Sequence, residues 1–203
     1  MYVKICGIDS DASALIAIEA GADAIGVVMN QTSERRLDFK TAERIIRSVS
    51  NAVDTVLVVN DMTAHEAAHT ANRLGVTALQ LHGPKYTSSD FTEAISIHPV
   101  VWRATSLSHS SNVTTGAFGE QALLLDSHSA GSGKRWDLTP LKNNPPQGKW
   151  LIAGGLNPEN VSEVINTIRP WGVDVSSGVE SSPGIKDHRL IIEFVNAARK
   201  TPK

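Results

Sequence analysis

The sequence predicts an α/β chain closed into a (β/α)8 TIM barrel, one domain over residues 1–203. Three observations carry that expectation. Short apolar runs alternate with helical patterns from end to end, which calls for parallel strands joined by helical crossovers. The runs number eight, the count that closes such a barrel. No strand end carries the glycine pattern of a dinucleotide site, which disfavours an open doubly wound sheet. The chain is short for this fold, so its loops should be short too.

In order, the expected strands are Tyr2–Cys6, Asp23–Met29, Val53–Val59, Val76–Leu81, Val100–Arg103, Gln121–Asp126, Trp150–Ala153 and Val173–Ser176. The expected helices are Ala12–Ala20, Phe39–Val49, Ala64–Leu74, Ser89–Ile97, Leu138–Lys142, Pro158–Ile168 and Asp187–Ala198. Between Ser108 and Gly119 the chain is rich in Ser, Thr and Gly, and supports no clear helix. Trp150–Ala153 is a continuous apolar run stopped by glycines, as suits a strand buried on both faces. Just beyond it, Asn157 is a good N-cap with Pro158 at the first helical position.

Net charge is −2, which gives no case for nucleic acid or a membrane surface as partner. A single cysteine excludes an intramolecular disulfide and fits a reducing compartment, so a cytoplasmic location is expected. No apolar run reaches membrane-spanning length, and the first residues do not form a signal peptide.

Chemistry in such a barrel sits at the C-terminal ends of the strands. Those ends are polar here: Cys6, Asn60, Gln80 with His82, Asp126, Gly154-Gly155 and Ser176-Ser177. The glycines allow close approach of a ligand to the backbone, and helix N–H groups after Asn157 would point back over them. With the hydroxyls and amides of Ser176, Ser177 and Gly178, these two neighbouring turns make a phosphate cradle. Cys6 and Asp126 lie on the same rim. A thiolate that removes a proton, beside a carboxylic acid that donates one, suits isomerisation of a phosphorylated sugar. Each alone has a plainer reading, Cys6 as a buried hydrophobe and Asp126 as a loop cap.

Two motifs mislead. His65-Glu66-Ala67-Ala68-His69 matches H-E-x-x-H, but Ala64, Ala67, Ala68, Ala71 and Leu74 form the apolar stripe, leaving both histidines on the solvent face. No third ligand is evident, so no metal is expected. Gly131-Ser132-Gly133-Lys134 resembles the end of a P-loop but has His128 and Arg135 at defining positions. It remains a basic loop, either placed to fold over a ligand or simply a flexible tip.

Val3-Lys4-Ile5-Cys6-Gly7-Ile8, Gly21-Ala22-Asp23-Ala24-Ile25-Gly26, Gln80-Leu81-His82-Gly83, Leu124-Leu125-Asp126, the run Ala153–Val161, and Val173-Asp174-Val175-Ser176-Ser177-Gly178-Val179-Glu180 recur in one order along the chain. With Pro183-Gly184 and Lys186-Asp187, this ordered set resembles the phosphoribosylanthranilate isomerases of tryptophan biosynthesis. The resemblance implies a barrel of the ribulose-phosphate-binding type and an Amadori rearrangement of a phosphorylated aminosugar without cofactor or metal. It implies Asp126 as general acid opening the furanose to a Schiff base, and Cys6 as general base at C2′. Arg35 would hold the anthranilate carboxylate, with Arg36 as its competitor. Amides around Gly154-Gly155 and Ser176-Ser177-Gly178 would hold the phosphate, and Asp174 belongs to the same substrate site. A monomer or homodimer is expected. Glu34 beside Arg35, and Trp136-Asp137-Leu138 after the sixth strand, depart from the family pattern. Two further readings are a related isomerase that also accepts the histidine-pathway aminoaldose, and a non-catalytic binder of phosphorylated metabolites. Cys6 argues against the former, where the pattern has Asp.

Strand alternation points Lys4 the same way as Cys6, one layer deeper in the barrel. A charged residue there needs a partner, and Asp174 on the adjoining eighth strand shares the inward parity. The expectation is a Lys4–Asp174 pair whose residual positive field lowers the Cys6 pKa, the plainer reading being that Lys4 only braces the barrel bottom.

Overall fold

The computed structural model describes residues 1–49, 51–106, 113–126 and 138–200. Its parallel strands are β1 (Tyr2–Cys6), β2 (Ala24–Val28), β3 (Asp54–Val59), β4 (Ala78–His82), β5 (Val101–Thr105), β6 (Ala122–Leu125), β7 (Trp150–Ile152) and β8 (Gly172–Val175). They form a closed barrel in chain order, with β8 hydrogen-bonded back to β1. The helices around it are α1 (Asp11–Ala20), α2 (Phe39–Val49), α3 (Ala64–Leu74), α4 (Ser88–Ile97), α5 (Thr139–Asn143), α6 (Val161–Ile168) and α7 (His188–Arg199). The TIM-barrel expectation holds, with strand ends moved by one or two residues. Ser176 falls just outside β8, in the loop. Described residues 113–121, between β5 and β6, form turns without a helix. Residues Gly131–Lys134 and Trp136-Asp137, singled out above, lie outside the described residues.

One element was not anticipated. After β8 a 3-10 turn, Ser177–Val179, leads into a small antiparallel hairpin of β9 (Glu180–Ser182) and β10 (Ile185–Lys186).

Alternation along each strand divides the apolar residues into two clusters. Val3, Ile5, Ile25, Val27, Leu57, Leu79, Leu123 and Val173 point outward and join the buried faces of the helices. Ala24, Val28, Val56, Val58, Trp102, Ala104, Leu124 and Leu151 point inward, together with Cys6. Near the N-terminal ends of the strands, Tyr2 stacks on Trp171 at 4.3 Å between ring centroids and meets Trp102 edge-on at 6.1 Å. That aromatic plug leaves the polar inward residues, Lys4, Gln80, His82, Asp126 and Asp174, for the opposite half.

α3 is fixed by a capping box in which Thr63 and Glu66 bond reciprocally. The Glu66 carboxylate is thereby engaged by the backbone and hydroxyl of Thr63 at 3.1 and 2.9 Å. His65 and His69 are exposed, as the stripe required. Among the described residues no cluster of three or more His, Cys, Asp or Glu could hold a metal ion. No described helix is long and apolar enough to cross a membrane.

Arg103 of β5 points away from the barrel interior yet is buried. Its Nε donates to Glu120 Oε1 at 2.8 Å, with both side chains almost wholly inaccessible, and its guanidinium lies 4.6 Å from the Phe118 ring centre. Breaking a buried pair from one side costs about 3–5 kcal/mol, because the remaining charge loses its compensation. Glu120→Ala should therefore lower the denaturant midpoint by that order. Glu193→Ala, which removes the exposed Arg189–Glu193 pair, should cost less than about 1 kcal/mol. Equal midpoints for the two variants would show that the Arg103–Glu120 pair does not hold the β5–β6 connection.

Candidate active site

The β1–β8 register sets Lys4 opposite Asp174, and both side chains point inward. Lys4 Nζ donates to Asp174 Oδ1 at 2.7 Å, and the lysine side chain is completely buried. The same ammonium group and the Cys6 thiol act on one another electrostatically, each favouring the other's charged form. Gly26 of β2 makes room for this arrangement. It faces Cys6 in register, and a Cβ there would come within 3.0 Å of Cys6 Sγ and 3.2 Å of Lys4 Nζ. The pair expected from strand parity is thus present.

The expected direction of the thiol pKa is not. Burial pushes the Cys6 thiol up, and although Lys4 opposes it, Asp174 adds to the rise and Lys186 offsets only part. The net direction is upward, because removing a sulfur from water disfavours its charged form more than one already neutralised lysine can restore. Burial alone would lower the Lys4 pKa, but Asp174 and Cys6 raise it more, so Lys4 stays charged.

Asp126, Gly154, Gly155, Asp174, Ser176 and Ser177 line one cavity at the C-terminal mouth of the barrel. Cys6 is joined to that cavity through Lys4 and Asp174. The Oδ1 atom of Asp174 accepts the Lys4 hydrogen bond, so this residue serves the interior as well as the cavity. At Gly178 a Cβ would collide with the Leu156 carbonyl oxygen, so the missing side chain lets the loops after β7 and β8 interlock.

The β7–α6 turn also differs from expectation. The Asn157 side-chain carbonyl accepts from the N–H groups of Glu159 and Asn160, both at 3.0 Å, and regular helix begins only at Val161. Asn157 does cap a first turn, but it takes up two donors expected to point over Gly154-Gly155. Asn160 then ties back to the Gly155 carbonyl at 2.8 Å. What lines the cavity here is accordingly the loop backbone of Gly154-Gly155 with Ser176 and Ser177.

Asp126 follows directly after β6, anchored by its N–H on the Thr105 carbonyl at 2.8 Å. His82 Nε2 stands 3.8 Å from Asp126 Oδ2, beyond hydrogen-bond range. Burial holds the His82 pKa below its ordinary value, so its imidazole is neutral near pH 7.

Arg35, in the loop after β2, reaches over Gly7 beside Cys6, where its stem fills the space of an absent Cβ. It is held in a two-pronged bond to Glu180, Nε to Oε1 at 2.6 Å and Nη2 to Oε2 at 2.8 Å. Lys186 Nζ contacts the same carboxylate at 2.9 Å and the Ser176 carbonyl at 2.9 Å. Arg36 and Glu34 are exposed. Glu180 and Lys186 were not chosen as site residues from sequence. The available signal was two opposite charges flanking Pro183-Gly184, a spacing that a tight hairpin places face to face.

The chain was compared with known proteins. The family model described as N-(5'phosphoribosyl)anthranilate (PRA) isomerase matches residues 3–197. The N-(5'-phosphoribosyl)anthranilate isomerase of Thermotoga neapolitana is 37% identical over 202 residues, which are 97% of this chain and 98% of that one. The crystal structure of TrpF from Jonesia denitrificans is similar with a TM-score of 0.92 and 48% identity, covering 99% of this chain and 98% of that one. A phosphoribosyl anthranilate isomerase in complex with reduced 1-(o-carboxyphenylamino)-1-deoxyribulose 5-phosphate has a TM-score of 0.80 and 31% identity, covering 98% of both chains.

The thiol electrostatics can be read by alkylation. The rate of Cys6 modification in the ligand-free protein should titrate above the free-thiol value of about 8.5, because burial dominates. Lys4→Met should move the titration higher still, since it removes a lowering influence and leaves Asp174 unneutralised. Titration below the free-thiol value, or a downward move in Lys4→Met, would overturn this ordering.

Proposed function

The chain belongs to the N-(5'-phosphoribosyl)anthranilate isomerase family, and on that premise we propose how its own residues perform the aldose–ketose isomerisation of tryptophan biosynthesis. The observation that supports the reading best is the shared rim. Asp126 lines the cavity beside the two interlocked turns, and Cys6 is tied to the cavity through the Lys4–Asp174 pair.

The substrate phosphate rests against the backbone of Gly154-Gly155 and the hydroxyls of Ser176-Ser177. Asp126, in its protonated form, gives its proton to the furanose ring oxygen as the C1′–O bond breaks. The anthranilate nitrogen supplies the electron pair, and a protonated Schiff base results. The Cys6 thiolate then removes the C2′ proton, the C2′–H pair becomes the C1′–C2′ double bond, and the iminium is neutralised to an enolamine. Tautomerisation gives the ketone. The thiol releases its proton to solvent before this step, and the iminium charge that develops next to the sulfur favours the thiolate so formed. Lys4 and Lys186 limit what burial takes away. Asp174 holds Lys4 in place and closes one wall of the site. Arg35 holds the anthranilate carboxylate in a planar, two-pronged geometry that Lys cannot copy. Arg36 is exposed and is the weaker candidate.

Positioned proton transfer contributes roughly 10²–10⁴-fold. Cys6→Ala and Asp126→Asn should each lower kcat by that range, read from the loss of fluorescence as the anthranilate substrate is consumed. Binding of the reduced product analogue should stay within a few-fold of wild type. Turnover of Cys6→Ala within tenfold of wild type would remove Cys6 as the base.

A further inference from the structure

The hairpin after β8 gives Arg35 a built socket. The β9–β10 register sets Lys186 directly opposite Glu180, so the two charges face one another across the ladder. Lys186 and Glu180 are almost wholly buried, at 0% and 4% side-chain exposure, although they belong to a hairpin whose Ser181, Ser182 and Ile185 are exposed. Glu180 accepts from Arg35 twice, from Lys186 once, and from the Gly184 N–H at 3.2 Å. Lys186 in turn is anchored at both ends. Its backbone N–H donates to Asp9 Oδ2 at 3.0 Å in the loop after β1, and its ammonium group donates to the Ser176 carbonyl. One small cluster therefore ties together the loops that follow β1, β2 and β8.

The form of the Arg35 contact matters. Glu180 engages the side-on fork, Nε with Nη2, and leaves the end-on fork of Nη1 and Nη2 for a second planar carboxylate. An isolated arginine on a loop has many rotamers to lose on binding a ligand. One gripped along its side edge, with its stem over Gly7, has already lost them.

We infer that Glu180, braced by Lys186, is a positioning residue that holds the Arg35 guanidinium with its end-on fork toward the aryl carboxylate of the substrate. This rests on the reading of Arg35 as the group that binds that carboxylate. The clamp does not touch the reacting atoms. It acts on substrate affinity through Arg35.

A double-mutant cycle on the intact protein tests it, using reduced 1-(o-carboxyphenylamino)-1-deoxyribulose 5-phosphate as the binding probe and ribulose 5-phosphate, which lacks the aryl carboxylate, as the control. Glu180→Gln should weaken the probe about tenfold and leave the control within twofold. In kinetics it should raise KM with little change in kcat. Arg35→Met should weaken the probe at least as much, and Glu180→Gln added to Arg35→Met should cost nothing further. Glu180→Asp, which keeps the charge but retracts the carboxylate, should repeat the loss and serves if Glu180→Gln fails to fold. Additive losses, an unaffected probe in the Glu180 variants, or equal losses for probe and control would overturn the clamp while leaving the Arg35 reading intact. An unaffected probe in Arg35→Met would overturn that reading itself, and the clamp with it.

Discussion

The ion pair between Lys4 and Asp174 is the constraint around which the rest of the site is arranged. A lysine with no solvent exposure in the middle of a barrel is costly to desolvate, and only a close, well-aligned partner offsets that cost. The partner must come from the strand that closes the barrel, so the pair also marks the β1–β8 seam. Room for the ammonium group must come from the other neighbour, and Gly26 supplies it by having no side chain. An apolar residue of similar volume would pack without these demands, and the aromatic and aliphatic layer beneath shows that the chain can build one. Keeping the charge is explained by what it adjoins, the Cys6 thiol.

Around that thiol the charges are arranged in opposition. Lys4 and Lys186 favour the thiolate, and Asp174 and burial oppose it, with burial the largest influence. The net direction for the thiol in the ligand-free protein is upward, toward the neutral form. Such a sulfur resists oxidation and adventitious alkylation, since the thiolate is the reactive form. On the proposed mechanism it acts as base once a cationic intermediate lies against it. Arg35 and the β9–β10 hairpin place a second set of charges at the rim.

Much of this is legible in the chain because the signals are local and periodic. The parity of Tyr2, Lys4 and Cys6 along β1 follows from strand alternation, and the same rule applied to Asp174 gives the buried pair. The stripe of alanines on α3 was enough to set His65 and His69 outside. Three features resisted sequence reading, each for a physical reason. The hairpin strands are two and three residues long, too short to carry a period, so Glu180 and Lys186 did not stand out. Asn157 is a proper cap, but its carboxamide satisfies the donors assigned to a ligand, and which partner a donor takes depends on loop geometry. The direction of the Cys6 pKa turns on the depth of burial against the strength of a partly neutralised lysine, a balance of magnitudes that residue type does not encode.

A crystal structure of this chain with reduced 1-(o-carboxyphenylamino)-1-deoxyribulose 5-phosphate tests the central claim most directly, because it locates every reacting atom at once. The phosphate should lie between Gly154-Gly155 and Ser176-Ser177, with Cys6 Sγ about 3–3.5 Å from C2′ and Lys4 still bonded to Asp174. Asp126 should lie on the sugar oxygen that derives from the ring. A ligand whose C2′ is remote from Cys6, or whose binding pulls Lys4 away from Asp174, would contradict the proposal that this buried pair serves the base.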